Sequence, residues 1–232
     1  MGYRHKKRTT LSKNNTGLIA HYRPKSPLSE QYRTIRTNIQ FTTHNRETNL
    51  ITVTSPLPGE GKTTTAANLA VVLAQQNHKV LLIDGDMRKP ICHHLFGRTN
   101  ESGLTNIIIR NKVFLDVVHN TVVPNLDLLP CGPVPPNPAE LLGEMEMNNL
   151  LNEVRNSYKY IILDSPPVIP VTDAQVLADK SDGIILVMRS GESTRENGIK
   201  AKELLLQARA KLLGVVLNQT KQKQDYYYEV KH

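Results

Sequence analysis

A glycine-rich segment between an apolar run and an alanine-rich stretch constrains the fold more than any other feature of the sequence. The apolar, β-branched run is Leu50–Thr54, the glycine-rich segment ends in Gly61-Lys62-Thr63, and the stretch at 63–76 has helical periodicity. These patterns predict a strand, a loop and a helix in succession. Glycines let neighbouring backbone N–H groups turn toward one anion, and the helix N-terminus adds its dipole. The segment therefore predicts a phosphate-binding loop.

The alternation of strand and helix continues along the chain. Further strands are predicted at 79–84, 126–129, 160–164, 183–188 and 214–218. Further helices are predicted at 26–41, 138–158, 173–179 and 194–211. Nearly continuous apolar strands separated by helices are typical of a parallel sheet covered on both faces. We therefore expect an α/β fold with a mostly parallel sheet, and ligands at the carboxyl ends of its strands.

The loop residues carry specific expectations for nucleotide binding. In the common pattern G-x-x-x-x-G-K-[ST], the lysine reaches the terminal phosphates and the hydroxyl binds magnesium, which predicts these roles for Lys62 and Thr63. The chain departs from the pattern at its first position, where Pro56 replaces glycine. The predicted nucleotide-binding residues of the loop are Pro58, Gly59, Glu60, Gly61, Lys62, Thr63 and Thr64.

Three aspartates follow predicted strands near this loop. Asp84 and Asp86 end one apolar run, and Asp164 ends another. Carboxylates in such positions need cations or hydrogen-bond donors, and Mg²⁺ prefers oxygen ligands. We expect Thr63 and the three aspartates to surround Mg²⁺, with Asp84 or Asp86 also accepting a proton from an attacking hydroxyl. Arg88 is expected either to contact phosphate or to pair with a carboxylate.

The charge of the chain is concentrated near its N-terminus. The formal net charge is +8, and residues 1–25 contain seven lysines and arginines and no acidic residue. This basic, polar composition predicts a disordered tail at 1–25, which acts either in solvation or in attraction to an acidic surface. Nucleic acid is not an expected partner. The predicted division is a tail at 1–25, a globular domain at 26–218 and a flexible tyrosine-rich tail at 219–232.

The cysteines and the hydropathy of the chain exclude several classes. Cys92 and Cys131 lie far apart in the sequence, which argues against a disulfide framework. The run Cys92-His93-His94 is interpreted as structural, because adjacent residues rarely converge on one metal ion. No apolar run is long enough to span a bilayer, so a cytoplasmic location is expected.

Several motifs together resemble one family, the bacterial tyrosine kinases. The segments are the loop ending Gly-Lys-Thr-Thr at 61–64, Leu-Leu-Ile-Asp-Gly-Asp-Met-Arg-Lys-Pro at 81–90, and Ile-Ile-Leu-Asp-Ser-Pro-Pro at 161–167. They are similar to that family's Walker A, A′ and B motifs. The resemblance extends to the pattern E-x-x-R-x-x-R at Glu30, Arg33 and Arg36, to the stretch at 135–142, and to the C-terminal Tyr226, Tyr227 and Tyr228.

The resemblance implies a P-loop NTPase fold of the MinD and ParA type and an ATP- and Mg²⁺-dependent kinase that phosphorylates protein tyrosines, including its own tail at 226–228. It implies a ring-like homo-oligomer in which Glu30, Arg33 and Arg36 contact a neighbouring copy. It further implies a membrane adaptor that activates the kinase and recruits it to the inner face of the membrane. A cognate tyrosine phosphatase and a role in capsule or exopolysaccharide synthesis are also expected.

Two other functions remain open at this point. One is a partner-switched ATPase of the ParA or MinD type, although such proteins usually carry a second lysine where this chain has Leu57. The other is a non-catalytic ring scaffold that ATP stabilises. Asn218, at the end of the last predicted strand, is a candidate for contacting the nucleotide base. The segment from Arg189 to Arg195 is a candidate docking surface for the adaptor.

Overall fold

The computed structural model describes residues 17–43 and 49–220, which form a seven-stranded sheet flanked by helices. The strands are β1 (Leu50–Thr54), β2 (Val80–Asp84), β3 (His119–Asn120), β4 (Leu126–Leu129), β5 (Tyr160–Asp164), β6 (Gly183–Arg189) and β7 (Leu212–Asn218). The helices are α1 (Ile19–Tyr22), α2 (Pro27–Thr43), α3 (Lys62–Ala74), α4 (Cys92–Leu95), α5 (Leu104–Ile108), α6 (Phe114–Val117), α7 (Pro138–Gly143), α8 (Met145–Arg155), α9 (Asp173–Asp179) and α10 (Arg195–Gln207).

The sheet order brings the predicted site residues together. The strands lie in the order β3-β4-β2-β5-β1-β6-β7, and every neighbouring pair is parallel except β3 and β4. Strand β5 therefore lies between β1 and β2. In its register, Asp164 is opposite Asp84 on one side and Val53 on the other. Because parallel strands end at the same edge, both aspartates reach the edge where β1 enters the phosphate loop.

Both faces of the sheet are packed against helices. Side chains of one strand point alternately to opposite faces. In β2, Val80 and Leu82 pack with α3 in one apolar core, whereas Leu81 and Ile83 pack with α8 in another. A third core lies between β6, α9 and α10. The predicted α/β fold class is confirmed.

The structure corrects the predicted start of the ordered domain. Residues 17–25 lie before the predicted boundary at 26, yet they contain α1, and Leu18 and Ala20 are fully buried against α3. The Asn68 side chain fixes this segment, because its Oδ1 accepts from Ala20 N at 2.9 Å and its Nδ2 donates to Gly17 O at 2.7 Å. The prediction of disorder was therefore wrong for residues 17–25, and residues 1–16 lie outside the described part.

The other differences concern short or interrupted elements. The single helix predicted at 138–158 is two helices, α7 and α8, because Glu144 between them has extended backbone angles (φ −60°, ψ 157°). The sequence did not predict α4, α5, α6 or β3. Helices of four or five residues complete little more than one turn, so they leave almost no periodicity to detect.

The ends of the chain bear on two further expectations. Only Gln219 and Thr220 of the predicted tail at 219–232 are described, so the tyrosines at 226–228 lie outside the described residues. None of the helices in the described part of the chain combines the length and apolar character that a bilayer span requires.

Candidate active site

The phosphate loop joins β1 to α3 and depends on two glycines. Gly59 and Gly61 have φ angles of +85° and +93°, in the left-handed region that glycine adopts without strain. Gly61 directly precedes α3, and its carbonyl accepts the Thr65 N–H at 2.9 Å. A Cβ atom on Gly61 would also lie 2.1 Å from Nδ2 of Asn218. The loop therefore opens the helix as predicted, and Gly61 leaves room for a contact with the end of β7.

Lys62 lies within a buried cluster of charges. Its Nζ is 2.8 Å from Asp86 Oδ2 and 3.5 Å from Asp164 Oδ1, and it donates to Thr63 Oγ1 at 3.2 Å. Thr63 Oγ1 in turn donates to Asp164 Oδ2 at 2.6 Å. Burial alone would lower the pKa of Lys62, but the charges of Asp164 and Asp86 raise it above its ordinary value. The lysine thus keeps its positive charge despite being buried.

Asp84 and Asp164 are fully buried and only partly satisfied. Asp84 Oδ2 accepts hydrogen bonds from the N–H groups of Ile91 at 3.1 Å and Cys92 at 2.9 Å, whereas its Oδ1 has no hydrogen-bond partner among the described residues. Burial, followed by the charge of Asp164, raises the pKa of Asp84 to about 7. Burial also raises the pKa of Asp164, although Lys62 opposes that shift. Both carboxylates are therefore held where a further cation would stabilise them.

The arrangement fits a magnesium ion. In the part of the chain that the structure describes, Oδ1 of Asp84 and Oδ1 of Asp164 lack hydrogen-bond partners, and the Thr63 hydroxyl lies beside Asp164. Oxygen donors of this kind are what Mg²⁺ prefers. Asp86, also predicted for the metal set, is placed differently, because its Oδ2 pairs with Lys62 and its Oδ1 accepts from Lys89 N at 3.0 Å. Asp86 thus has both oxygens engaged within the protein.

Arg88 pairs with a carboxylate that the sequence did not single out. Its Nε and Nη2 donate to the two carboxylate oxygens of Asp173, each at 2.9 Å. Asp173 is the first residue of α9 and is fully buried. Of the two predicted roles of Arg88, carboxylate pairing is therefore the one observed. The pair ties the loop after β2 to α9, and no pattern at Asp173 distinguishes it from an ordinary acidic residue in a first helical turn.

A second unpredicted group of contacts holds the phosphate loop from the other side. The carboxylate of Glu60 accepts from Leu57 N at 2.9 Å and from the Ser193 hydroxyl, and Ser193 also accepts from Arg189 N at 2.7 Å. The Glu60 carbonyl accepts from Asn218 Nδ2 at 3.0 Å. The loop after β6 and the last residue of β7 are therefore both bonded to Glu60. Asn218, predicted as a base contact, holds the phosphate loop here.

Open clefts lie on both sides of the phosphate loop. A cleft of about 430 Å³ reaches Lys62, Thr63 and Asp86. Its other lining residues include Arg88 and Lys89 and a wall of Pro166, Pro167, Pro170 and Val171. A second cleft of about 690 Å³ lies between α2, β7 and the loop, and its lining includes Thr64, Tyr32 and Asn218. The two clefts give the phosphate loop an approach from either side.

The residues of the E-x-x-R-x-x-R pattern lie on α2 as predicted. Glu30 is exposed and forms an ion pair with Arg33, one turn further along the helix. Arg36 points instead toward α3, where its Nη1 donates to Val72 O at 2.9 Å. Within the chain, Arg36 thus joins two helices, and the predicted contact with a neighbouring copy stays a prediction.

Comparisons with known proteins find relatives over most of the chain. The AAA domain family matches residues 48–212. The chain is 47% identical over 207 residues to the tyrosine-protein kinase YwqD of Bacillus subtilis (strain 168), covering 89% of this chain and 87% of that protein.

Solved structures extend the similarity to the whole fold. The crystal structure of the chimerical protein CapA2B2 superposes with a TM-score of 0.86 at 42% identity, covering 89% of this chain and 91% of that one. The kinase domain of the Escherichia coli tyrosine kinase ETK gives a TM-score of 0.85 at 32% identity, covering 96% of this chain and 90% of that one. YwqD has nearly the same length as this chain, and both YwqD and ETK are named tyrosine kinases. The chain therefore belongs to the bacterial tyrosine-protein kinases, built on an AAA-type nucleotide-binding domain.

Proposed function

We propose that this kinase transfers the γ-phosphate of ATP to protein tyrosines, including the tyrosines at 226–228 of a neighbouring copy, and so regulates capsule or exopolysaccharide synthesis. The observation that carries the proposal is the convergence of Lys62, Thr63, Asp84 and Asp164 beside an open cleft at the start of α3. A phosphate chain, a cation and an acceptor hydroxyl can meet at such a place.

Positioning and charge neutralisation account for most of the chemistry of phosphoryl transfer. The N–H groups at the start of α3 and the ammonium of Lys62 bind the phosphates of ATP in this proposal. Thr63, Asp84 and Asp164 hold Mg²⁺, which supplies positive charge at the phosphate oxygens when bound. Because these groups are already in place, little rearrangement is needed when charge develops on the transferred group.

Asp86 is the carboxylate best placed to accept the proton of the attacking phenol. Among the three aspartates, only Asp86 lines the cleft of about 430 Å³, whereas Asp84 and Asp164 are fully buried behind it. An acceptor tyrosine that enters between the proline wall and Lys89 meets Asp86 first. Asp84 and Asp164 are assigned to the metal, because each retains an oxygen that accepts no hydrogen bond from the described residues.

The partners follow from the family resemblance and from exposed surfaces. Glu30 is exposed on α2, and Arg189 pairs with the exposed Glu192 just before α10. We propose that α2 contacts a neighbouring copy in a ring-like oligomer, and that the segment 189–195 binds a membrane adaptor that recruits the kinase to the inner face of the membrane. A cognate tyrosine phosphatase completes the proposed cycle.

Mass spectrometry of phosphotyrosine after incubation with MgATP tests the proposal. The wild type is compared with Lys62→Ala and with a variant in which Tyr226, Tyr227 and Tyr228 are all phenylalanine, each with and without an adaptor's cytoplasmic segment. We expect phosphate on the tail of the wild type and none in Lys62→Ala. The phenylalanine variant is expected to lose the tail signal while it still phosphorylates the tail of a second, Lys62→Ala copy.

Other outcomes support other functions. ATP hydrolysis without phosphotyrosine under either condition would indicate a partner-switched ATPase. Nucleotide-dependent assembly with neither hydrolysis nor phosphotyrosine would indicate a ring scaffold.

A further inference from the structure

Cys92, which no sequence pattern assigned to the active site, lies beside the carboxylates of that site. It is the first residue of α4 and is fully buried. Its Sγ is 3.7 Å from Asp164 Oδ2, and its N–H donates to Asp84 Oδ2 at 2.9 Å. One ligand atom from each of Asp84, Cys92 and Asp164 lies within 4.8 Å of the others. Cys92 therefore converges with two aspartates rather than with the histidines that follow it.

A second observation indicates that this cluster can hold a cation. Oδ1 of Asp84 and Oδ1 of Asp164 have no hydrogen-bond partner within residues 17–43 and 49–220, although both residues are fully buried. Buried carboxylate oxygens are normally paired, because leaving them unpaired is costly. The Lys62 ammonium lies 3.5 Å from Asp164 Oδ1, so it compensates one of the two oxygens only in part. A positive ion between the carboxylates would satisfy both.

The donor set differs from that of an ordinary magnesium site. Mg²⁺ takes oxygen ligands, whereas Zn²⁺ and related ions bind cysteine sulfur together with carboxylate oxygen. In a tetrahedral zinc site the sulfur and oxygen ligands lie about 3.6 Å apart, given usual metal–ligand distances of about 2.3 and 2.1 Å. The Cys92 thiol donates a hydrogen bond to Asp164 Oδ2 at 3.7 Å, so a metal that replaces the thiol proton would find the two ligand atoms already near that separation.

We propose that Asp84, Cys92 and Asp164 form a site for a thiophilic divalent cation such as Zn²⁺ or Cd²⁺, which overlaps the magnesium site. Binding forms a metal–sulfur bond and releases the thiol proton to solvent, with no change of oxidation state. Because the two aspartates are shared, the thiophilic ion excludes Mg²⁺ and inhibits the kinase. This inhibition rests on the proposed function, whereas metal binding does not.

Cadmium binding to the whole chain tests the site directly. The ultraviolet charge-transfer band of a cadmium–thiolate bond is followed in Mg²⁺-free solution for wild type, Cys92→Ser and Cys131→Ser. The chain has two cysteines, so Cys131→Ser leaves Cys92 as its sole thiol. The result with Cys131→Ser does not depend on how well a Cys92 variant folds. Cys131 is the matched control, because it is also buried and its Sγ lies 3.9 Å from Thr105 Oγ1.

The expected result is a saturable band in wild type and in Cys131→Ser that is absent from Cys92→Ser. Cadmium affinity should fall at least about tenfold in Cys92→Ser, as is usual when a metal site is impaired. A band that is missing from Cys131→Ser, or that persists in Cys92→Ser, would contradict the proposed metal site.

Zinc inhibition provides the second arm of the test. Zn²⁺ should inhibit tyrosine phosphorylation by the wild type, and added Mg²⁺ should relieve that inhibition. The zinc concentration that halves the rate, measured against each variant's own uninhibited rate, should rise at least about tenfold in Cys92→Ser. Equal zinc sensitivity in all three proteins would overturn the competition with Mg²⁺. If no variant phosphorylates tyrosine, the proposed function and the inhibition both fail, and the cadmium band alone decides the site.

Discussion

The two ends of the sheet hold carboxylates in opposite ways. At the amino end, Asp182 precedes β6, and both of its oxygens are satisfied. Its Oδ2 accepts from Asn49 N at 3.0 Å, Leu50 N at 2.8 Å and Arg155 Nη1 at 2.7 Å, and its Oδ1 accepts from Arg155 Nη2 at 2.9 Å. At the carboxyl end, Asp84 is fully buried, and its Oδ1 accepts no hydrogen bond from any residue that the structure describes.

The pKa values of the two groups reflect this difference. Burial would raise the pKa of Asp182, but the hydrogen bonds from Arg155 and from the N–H groups of Leu50 and Asn49 together outweigh burial and lower the pKa below the ordinary value. Burial dominates at Asp84 and raises its pKa to about 7. A carboxylate with a lowered pKa stabilises the fold in its charged form, whereas one with a raised pKa destabilises it. The amino end therefore serves stability, and the carboxyl end retains unfavourable charge that a cation can stabilise.

Replacing Asp84 by asparagine should produce the largest effect on function. Asp84→Asn removes the charge that we assign to the metal, so tyrosine phosphorylation should fall at least about 100-fold. The nucleotide-free protein should become more stable by about 1 kcal/mol, because a buried, partly unpaired charge is removed. A phosphotyrosine assay and chemical denaturation measure the two quantities. A loss of stability together with full activity would contradict the contrast between the two ends.

Replacing Asp182 should have the opposite pattern. Asp182→Ala leaves Arg155 and the N–H groups at the start of β1 without their acceptor, so the free energy of unfolding should fall by about 2 kcal/mol. Phosphorylation at 25 °C should stay within about twofold, because Asp182 is at the far end of the sheet. Asp179→Ala, at an exposed position near the end of α9, is the control and should change stability by less than about 0.5 kcal/mol.

Removing the hydrogen bond between Ser193 and Glu60, which holds the phosphate loop, should have a smaller effect that is confined to ATP binding. Ser193→Ala removes the hydroxyl that donates to Glu60, which should raise the KM for ATP about fivefold, consistent with a lost hydrogen bond of about 1 kcal/mol. The kcat should change less than the KM. Thr194→Ala is the matched control, since Thr194 caps α10 by accepting from Asn197 N and makes no contact with Glu60. An equal change of KM in both variants would indicate a general loosening of the loop.

The pH dependence of the free energy of unfolding should distinguish Asp84 from Asp182, with the smallest effect of the changes considered. Asp84 has a pKa of about 7 in the folded chain and about 3.9 when unfolded, so its ionisation destabilises the fold fully above pH 7 and not below about pH 4. The advantage of Asp84→Asn over wild type in nucleotide-free protein should therefore shrink as pH falls from 7 to 4. For Asp182, whose folded pKa is lowered, the contribution is stabilising and is lost as pH falls below about 4. Denaturation at several pH values measures both changes.

Sequence reasoning predicted the parts of the site that are encoded by local sequence patterns. The phosphate loop, the strand-end aspartates and the sheet class all follow from apolar runs bounded by glycine or carboxylate, and the structure bears out the fold class. The contacts of Asp173, Ser193 and Cys92 could not be predicted in this way. Each depends on which distant loops the sheet order brings together, and a single serine or cysteine carries no periodicity that would reveal its neighbours.

The same reasoning explains the error at residues 17–25. Composition indicated disorder because basic and polar residues surround a short apolar stretch. Leu18 and Ala20 are nevertheless enough to dock the segment, because Asn68 on α3 satisfies its backbone groups. An asparagine side chain that pairs with a distant backbone leaves no trace in local composition.

The contact between Asn218 and Glu60 also orders events during biosynthesis. It joins residues 158 positions apart, because the phosphate loop follows the first strand and Asn218 ends the last strand of the described part. The N-terminal part of the chain leaves the ribosome first, so the phosphate loop emerges well before β7 has been synthesised. The phosphate loop can form its hydrogen bond with Asn218 only when nearly the whole domain has been translated.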